Sequence, residues 1–310
     1  MSELDGVLVV DKPAGMTSHD VVAAVRRALR SSGFGGGRKH GHKVGHAGTL
    51  DPDATGVLVV ALGRCTRLVP YLQASRKTYD ARLRLGATTS TLDAAGELLM
   101  EADASAVDEV ALCEALKSFV GDIEQIPPMV SAVKVDGERL YAKARRGEEV
   151  EHKPRPVTIH EIVLEDFAPG ERAEASFLVT CSSGTYIRTL AADVGERLGV
   201  GAHLASLRRL GSGRFSLEQA VDLDKVADLA EQRRLGEILI SPAEAVADYP
   251  RVVVDAAGAQ NLRHGKPLPA TGEAGPVAVV DADDRLLAMV EDRDNEARSL
   301  VVLAAQGDGA

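Results

Sequence analysis

Residues 45–58 read GHAGTLDPDATGVL, Gly45 to Leu58. Asp51 stands between Leu50 and Pro52. A proline fixes its own φ and pushes the residue before it toward an extended backbone, so Asp51 sits on a stiff support. Gly45, Gly48 and Gly56 lack a Cβ and let the flanking chain come close to a neighbour. A carboxylate on a rigid loop is a good mount for a nucleophile. Asp-Pro is also a common turn signal, and from these residues alone both readings stand. Val44 to Thr55 has no clean period and reads as an ordered loop, whereas Gly56 to Leu62 is apolar enough for a buried strand.

Toward the N-terminus, Gly6 to Val10 is a short apolar run that ends at Asp11-Lys12-Pro13, a strand entering a turn. Thr17-Ser18-His19-Asp20 resembles a capping box, and Val21, Val25 and Leu29 follow at helical spacing. The stretch SSGFGGGRKHGHK, residues 31–43, is rich in glycine and basic side chains and reads as an exposed loop. Its histidines invite a metal reading with His40, His42 and His46, but no cysteine or acidic ligand accompanies them.

Toward the C-terminus, Thr78 to Leu85 alternates, with Tyr79, Ala81, Leu83 and Leu85 on one face. Helices are predicted over 107–120, 185–198 and 217–229, and strands over 157–164 and 175–181. Composition shifts near Tyr249-Pro250. Beyond it, RVVV, GPVAVVD, LLAMVE and SLVVL alternate with turn residues, the pattern of a small all-β module.

The bulk numbers bound these readings. The chain has 310 residues and 45% hydrophobic side chains, enough for one large domain and one small one or for two of middling size. It contains no long uncharged apolar run, so no transmembrane helix is predicted. The acidic start MSELDG has the charge order opposite to a secretory signal. Cys65, Cys113 and Cys181 fit neither a zinc site nor a disulfide framework, and a cytoplasmic protein with reduced thiols is expected. The net charge of -10 argues at first against a nucleic-acid partner. Its distribution weakens that argument, because residues 1–80 carry 11 basic and 7 acidic side chains while 215–310 carry 9 and 18.

GHAGTLDPDATGVL resembles the signature loop of the TruB-type pseudouridine synthases, bacterial enzymes that convert uridine 55 in the T-loop of tRNA to pseudouridine. Four more segments resemble the same family in the same order: VVDKPAGMTSHDVV, KTYDARLRLG, PPMVSAVKVDGERLYAKAR and CSSGTYIRTLAADVGERLGVGAHLASLRRL. Together they cover roughly residues 6–210. The resemblance implies an α+β enzyme. Residues 1–248 would form a catalytic domain on a mixed, mainly antiparallel sheet, and residues 249–310 a PUA-like β module, whose best matching fragment is NLRHGKPLP. The loop 31–43 is longer than the family spacing, and reads either as a basic tongue toward RNA or as a disordered insertion.

The same resemblance implies the site. Asp51 is the nucleophile, Arg188 its ion-pair partner, and Tyr79 the ring that stacks on the target base and takes part in proton transfer. Leu207 lines the uracil pocket, and Tyr186 is a further substrate-binding residue. His46 fills the stack vacated by the flipped nucleotide. Lys12 and Lys134 are assigned phosphate contacts. A cation beside Asp51 would lower its pKa. Pseudouridine formation is an isomerisation, so no cofactor or metal is expected, nor an obligate protein partner. The rival readings are a guide-RNA-dependent relative, a noncatalytic RNA-folding chaperone, and a nucleoside hydrolase that would release free uracil.

Overall fold

The computed structural model describes residues 4–34, 42–128, 134–135, 138–139 and 153–303, with backbone alone at 134–135 and 138–139. The chain opens with β1 (Gly6–Lys12) and α1 (Ser18–Ser31). Thr17 caps α1 through a complete capping box with Asp20, as the sequence predicts. Then come β2 (Val44–His46) and β3 (Thr55–Leu62), a 3-10 turn at Gly63–Leu68, and α2 (Val69–Gln73). Next are β4 (Lys77–Leu85), the hairpin β5 (Ala87–Thr89) and β6 (Leu98–Glu101), α3 (Glu109–Lys117) and β7 (Gly121–Gln125). After β8 (Lys134–Val135) and β9 (Glu138–Arg139) follow β10 (Arg155–Ala168), β11 (Glu174–Cys181), α4 (Ile187–Arg197), β12 (Ala202–Ser212) and β13 (Phe215–Ser216).

Among the described residues these strands form a nine-stranded sheet on the path β1-β3-β12-β4-β11-β10-β7, with β2 on β3 and β13 on β12. Of its pairings only β12 with β3 is parallel, so the sheet is mixed and mainly antiparallel. One edge of β3 is divided. Its Val60–Leu62 end pairs with β2 and its Thr55–Gly56 end with β12. Residues 47–54 loop out between those two pairings, which places Asp51 over the sheet.

Val7–Val10 of β1 and Val57–Leu62 of β3 are hydrophobic at every position because both faces are covered. On one side Val21, Val25 and Leu29 of α1 pack with Leu8, Leu58 and Val60, together with Val226 and Leu229 of α5 (Leu223–Glu231). Burying each such side chain contributes about 1.5–3 kcal/mol. Farther along the sheet, the apolar face of β4 packs with α3 and α4, through Leu83, Phe177, Leu112 and Leu190.

After the short α6 (Pro242–Ala245) the chain forms β14 (Arg251–Val253), α7 (Ala256–Arg263), β15 (Leu268–Pro269), β16 (Val277–Val280), β17 (Leu286–Arg293) and β18 (Glu296–Val302). The strands make a five-stranded sheet in the order β14-β16-β17-β18-β15. This sheet docks on the 3-10 turn and α2. Met289, Leu303 and Val280 share one core cluster with Cys65, Leu68 and Leu72. Arg64 and Arg67 donate to the carbonyls of Leu303 (2.9 Å) and Val302 (2.7 Å). The Tyr249 hydroxyl donates to Tyr71 O at 2.9 Å, with the two rings edge to face.

Three local expectations are corrected. The C-terminal module is not all-β, because Asp255 caps α7 by accepting from Gly258 N. The helix expected over 217–229 is a 3-10 turn at Leu217–Gln219 followed by α5, which starts afresh at the Asp222 cap. Residues 44–46, read as loop, are β2. Among the described residues no helix is long and apolar enough to cross a membrane, and no group of three or more His, Cys, Asp or Glu side chains is placed to hold a metal ion.

Candidate active site

The loop that carries Asp51 is tied down from two sides. From the N-terminal segment, Ser18 Oγ accepts from Leu50 N at 2.9 Å and donates to Leu50 O at 3.2 Å. Pro52 O accepts from Lys12 Nζ (2.8 Å) and from Gly15 N (3.0 Å). From β12, the fully buried Arg209 donates Nε to Val57 O at 2.6 Å and Nη2 to Gly48 O at 3.2 Å, with Nη1 3.5 Å from Thr49 O. Two glycines make room for this staple. Gly56 (φ +98°) lies so close to β12 that a Cβ would stand 2.2 Å from Arg209 O, and Gly48 (φ +102°) passes beside the guanidinium.

Arg188, at the start of α4, meets Asp51 with two nitrogens, Nε to Oδ2 at 3.0 Å and Nη2 to Oδ1 at 3.2 Å. Its third nitrogen donates to Thr91 O (3.2 Å) and Asp93 Oδ2 (3.3 Å), so the guanidinium is held from behind. Asp93 is itself fixed by Thr91 Oγ1 (2.5 Å) and Ala95 N (3.1 Å). The Arg188 side chain is 5% exposed and that of Asp51 41%. Charge-assisted, two-pronged contacts of this kind orient a carboxylate as well as hold it.

Desolvation pushes the Asp51 pKa up from the usual carboxylate value. Arg188 and Lys12 pull it down, while Asp93 and Asp53 push it further up. The lowering expected from Arg188 is therefore present, but it is outweighed, because the protein around the carboxylate removes more solvation than one guanidinium returns.

Asp51 lines a cavity of about 500 Å³. Tyr79, Lys77, Leu207, Tyr186, Arg188 and Arg209 supply other walls. Tyr79 projects from β4 beside Arg209, its register partner on β12, and burial pushes its phenol pKa up. Lys77 is buried, donates to Gln73 O (2.9 Å) and Ser75 O (2.8 Å), and has its pKa lowered to about 8, chiefly by desolvation. Tyr186 is placed by Gln125, which accepts from Tyr186 N at 2.9 Å and donates to Tyr186 O at 3.2 Å.

The structure thus brings Asp51, Arg188, Tyr79, Tyr186 and Leu207 into one pocket. His46 stands outside it, half-buried at the edge of a neighbouring groove and edge-on to His19 at 5.1 Å between ring centres. Lys12 is corrected from a phosphate contact to a buried tie. It is 0% exposed, and its ammonium donates to Pro13 O (2.8 Å), Met16 O (2.5 Å) and Pro52 O (2.8 Å). The Lys134 side chain and residues 35–41 of the basic loop lie outside the described residues. Sequence reading missed Arg209, Asp93, Lys77 and Gln125. A signal for Arg209 was there, an arginine pair inside the otherwise apolar run after Leu204.

Comparison with known proteins covers most of the chain. Residues 38–187 match the model described as TruB family pseudouridylate synthase (N terminal domain). Residues 188–247 match tRNA pseudouridylate synthase B C-terminal domain, and residues 249–304 match tRNA Pseudouridine synthase II, C terminal. A protein of Thermobifida fusca named tRNA pseudouridine synthase B is 47% identical over 307 residues, 97% of this chain and 99% of its own length. One of the same name from Symbiobacterium thermophilum is 52% identical over 264 residues, 85% of this chain and 83% of its own. A solved archaeal box H/ACA sRNP Nop10-Cbf5 complex contains a chain that is 27% identical, with a TM-score of 0.72 over 97% of this chain and 87% of that one.

Proposed function

The chain belongs to the TruB family of pseudouridylate synthases, and from that premise we propose that it isomerises uridine 55 in the T-loop of tRNA to pseudouridine, with Asp51 as nucleophile. The observation that carries the proposal is the two-pronged Asp51–Arg188 pair inside a pocket with an aromatic and an aliphatic wall, Tyr79 and Leu207. The isomerisation breaks N1–C1′, turns the base and joins C5 to C1′. A proton leaves C5 and N1 ends protonated, so nothing is oxidised and no atom is lost.

Each side chain has a part in that sequence. The Asp51 carboxylate supplies a lone pair and a negative charge beside the sugar–base bond, where positive character develops as N1–C1′ breaks. Arg188 fixes the attack direction. The uracil ring lies against Tyr79 and Leu207 and excludes water from the carboxylate. Because burial keeps the Tyr79 phenol protonated, its main contribution is the ring face. A base inside a folded loop has to leave its stack to reach such a pocket, and His46, in the neighbouring groove five residues before Asp51, suits the vacated position. Residues 1–248 would act as the catalytic part and 249–310 as a PUA-like module whose acidity limits it to light contact with RNA.

The relatives at 47% and 52% identity are named tRNA pseudouridine synthase B, whereas the chain in the box H/ACA sRNP complex is 27% identical, which favours action on bare tRNA. The test is to incubate the purified protein with a T-arm stem-loop and with total tRNA and map pseudouridine. Product at position 55 is expected without guide RNA or partner protein. Asp51→Asn should abolish it and leave RNA binding within a few-fold. Full activity in that variant, or release of free uracil by the unaltered protein, would sink the assignment.

A further inference from the structure

A second, more open cavity of about 510 Å³ adjoins the catalytic pocket. Arg26 and Arg30 of α1, Lys43, His46, Thr66 and Val69 are among its lining residues, and among the described residues that line it none is a carboxylate. The two cavities are lined by neighbouring stretches of the same chain. Gly45 and His46 line the groove, and Gly48 and Asp51 the pocket; Val69 faces the groove, and Pro70, next in the chain, the pocket. A polymer with one unit in the pocket and leaving on this side enters the groove directly.

The charges converge without a protein partner to balance them. Arg26 and Arg30 are four residues apart on one helix face, a like-charge spacing that disfavours the helix unless an anion lies between them. Among the described residues neither they nor Lys43 pair with a carboxylate. Arg26 uses one nitrogen on Val44 O at 3.0 Å, which holds its guanidinium over β2 and leaves its remaining donors for another acceptor. A fork of N–H groups matches phosphate oxygens.

We propose that Arg26, Arg30 and Lys43 hold the phosphodiester backbone of the RNA strand adjoining the target nucleotide. The inference rests on the family reading of the pocket and adds to it a backbone subsite. Three single-strand phosphate contacts would account for roughly 2 in the slope of log Kd against log salt, since each contributes about 0.7.

The experiment measures T-arm stem-loop binding by fluorescence anisotropy between 50 and 200 mM salt. It compares the unaltered protein with the combined variant Arg26→Gln, Arg30→Gln, Lys43→Gln, and with Lys117→Glu on the distant α3 as control. Between those salts the unaltered protein should weaken by roughly twenty-fold more than the combined variant, as a slope difference of about 2 requires. Methylphosphonates at the phosphates flanking the target should raise Kd for the unaltered protein and have no further effect on the variant. Equal slopes, or methylphosphonate penalties that persist fully in the variant, overturn the proposal. So does a groove that takes millimolar inorganic phosphate while flanking methylphosphonates leave Kd unchanged. Isomerase activity of the unaltered protein reports separately on the catalytic reading.

Discussion

Replacing Arg209 by glutamine should cost both stability and turnover. Two of the guanidinium contacts are of hydrogen-bond length, to Val57 O at 2.6 Å and Gly48 O at 3.2 Å, and the third, 3.5 Å from Thr49 O, is too long to count. Hydrogen bonds from a charged group contribute about 1.5–3 kcal/mol each, so the two amount to roughly 3–6 kcal/mol. Glutamine recovers one carbonyl, and removing a fully buried cation returns part of its desolvation cost. A net loss of about 2–3 kcal/mol remains, which for a domain of this size lowers the melting temperature by roughly 4–12 °C. Gly48 and Thr49 lead straight into Asp51, and a carboxylate displaced by about 1 Å can lose on the order of 100-fold in rate. Thermal melts and single-turnover pseudouridine formation read the two effects, with KM for RNA little changed. Arg209→Lys keeps the charge but not the fork and should not restore turnover. If Arg209→Gln melts within about 1 °C of the parent and turns over within two-fold, the staple does not hold the loop and the reasoning is wrong.

Other outcomes follow from the same geometry. Arg188→Lys loses the paired contact to Asp51 and the tie to Thr91 and Asp93, and kcat should fall roughly 100-fold or more with RNA affinity preserved. In the proposed role Asp51 must be ionised, and its pKa is raised, so the rate should fall with decreasing pH at a midpoint above the ordinary aspartate value of about 4. Asp93→Asn removes a charge that raises that pKa, so single-turnover pH profiles should show the midpoint move to lower pH. Gly56→Ala would drive a Cβ into Arg209 O and force the parallel pair apart. Soluble yield and melting temperature should both drop sharply, by more than any loop substitution nearby.

The legible parts of the sequence were those whose side chains repeat with the geometry of their element. Tyr79, Ala81, Leu83 and Leu85 alternate because one face of β4 is buried, and Thr17 with Asp20 announces α1 because the cap is a local contact. β2 stayed hidden because three residues cannot show a period, and its existence depends on the free Val60–Leu62 edge of β3. β12 was disguised by register shifts against β4 and by two arginines in its interior. At the site, Asp51 and Arg188 were legible through motifs, but Asp93 looked like any turn aspartate, 42 residues from the loop it supports. Lys12 was misread for the opposite reason. A lysine in a motif suggests phosphate, and only the fold shows three carbonyls closing around its ammonium.

The docking of the C-terminal sheet has a consequence for how this chain can change over time. The 3-10 turn and α2 are a partition with two tenants. One side receives Tyr249, Leu303 and the carbonyl of Val302, and from the other Pro70, Gln73 and Ala74 face the catalytic cavity. Tyr71 and Tyr249 therefore cannot drift independently, although 178 positions separate them. A module grafted from a relative would bring its own version of that surface and press on the partition from behind. Exchanging the C-terminal part of this protein amounts to editing the wall against which its substrate must fit.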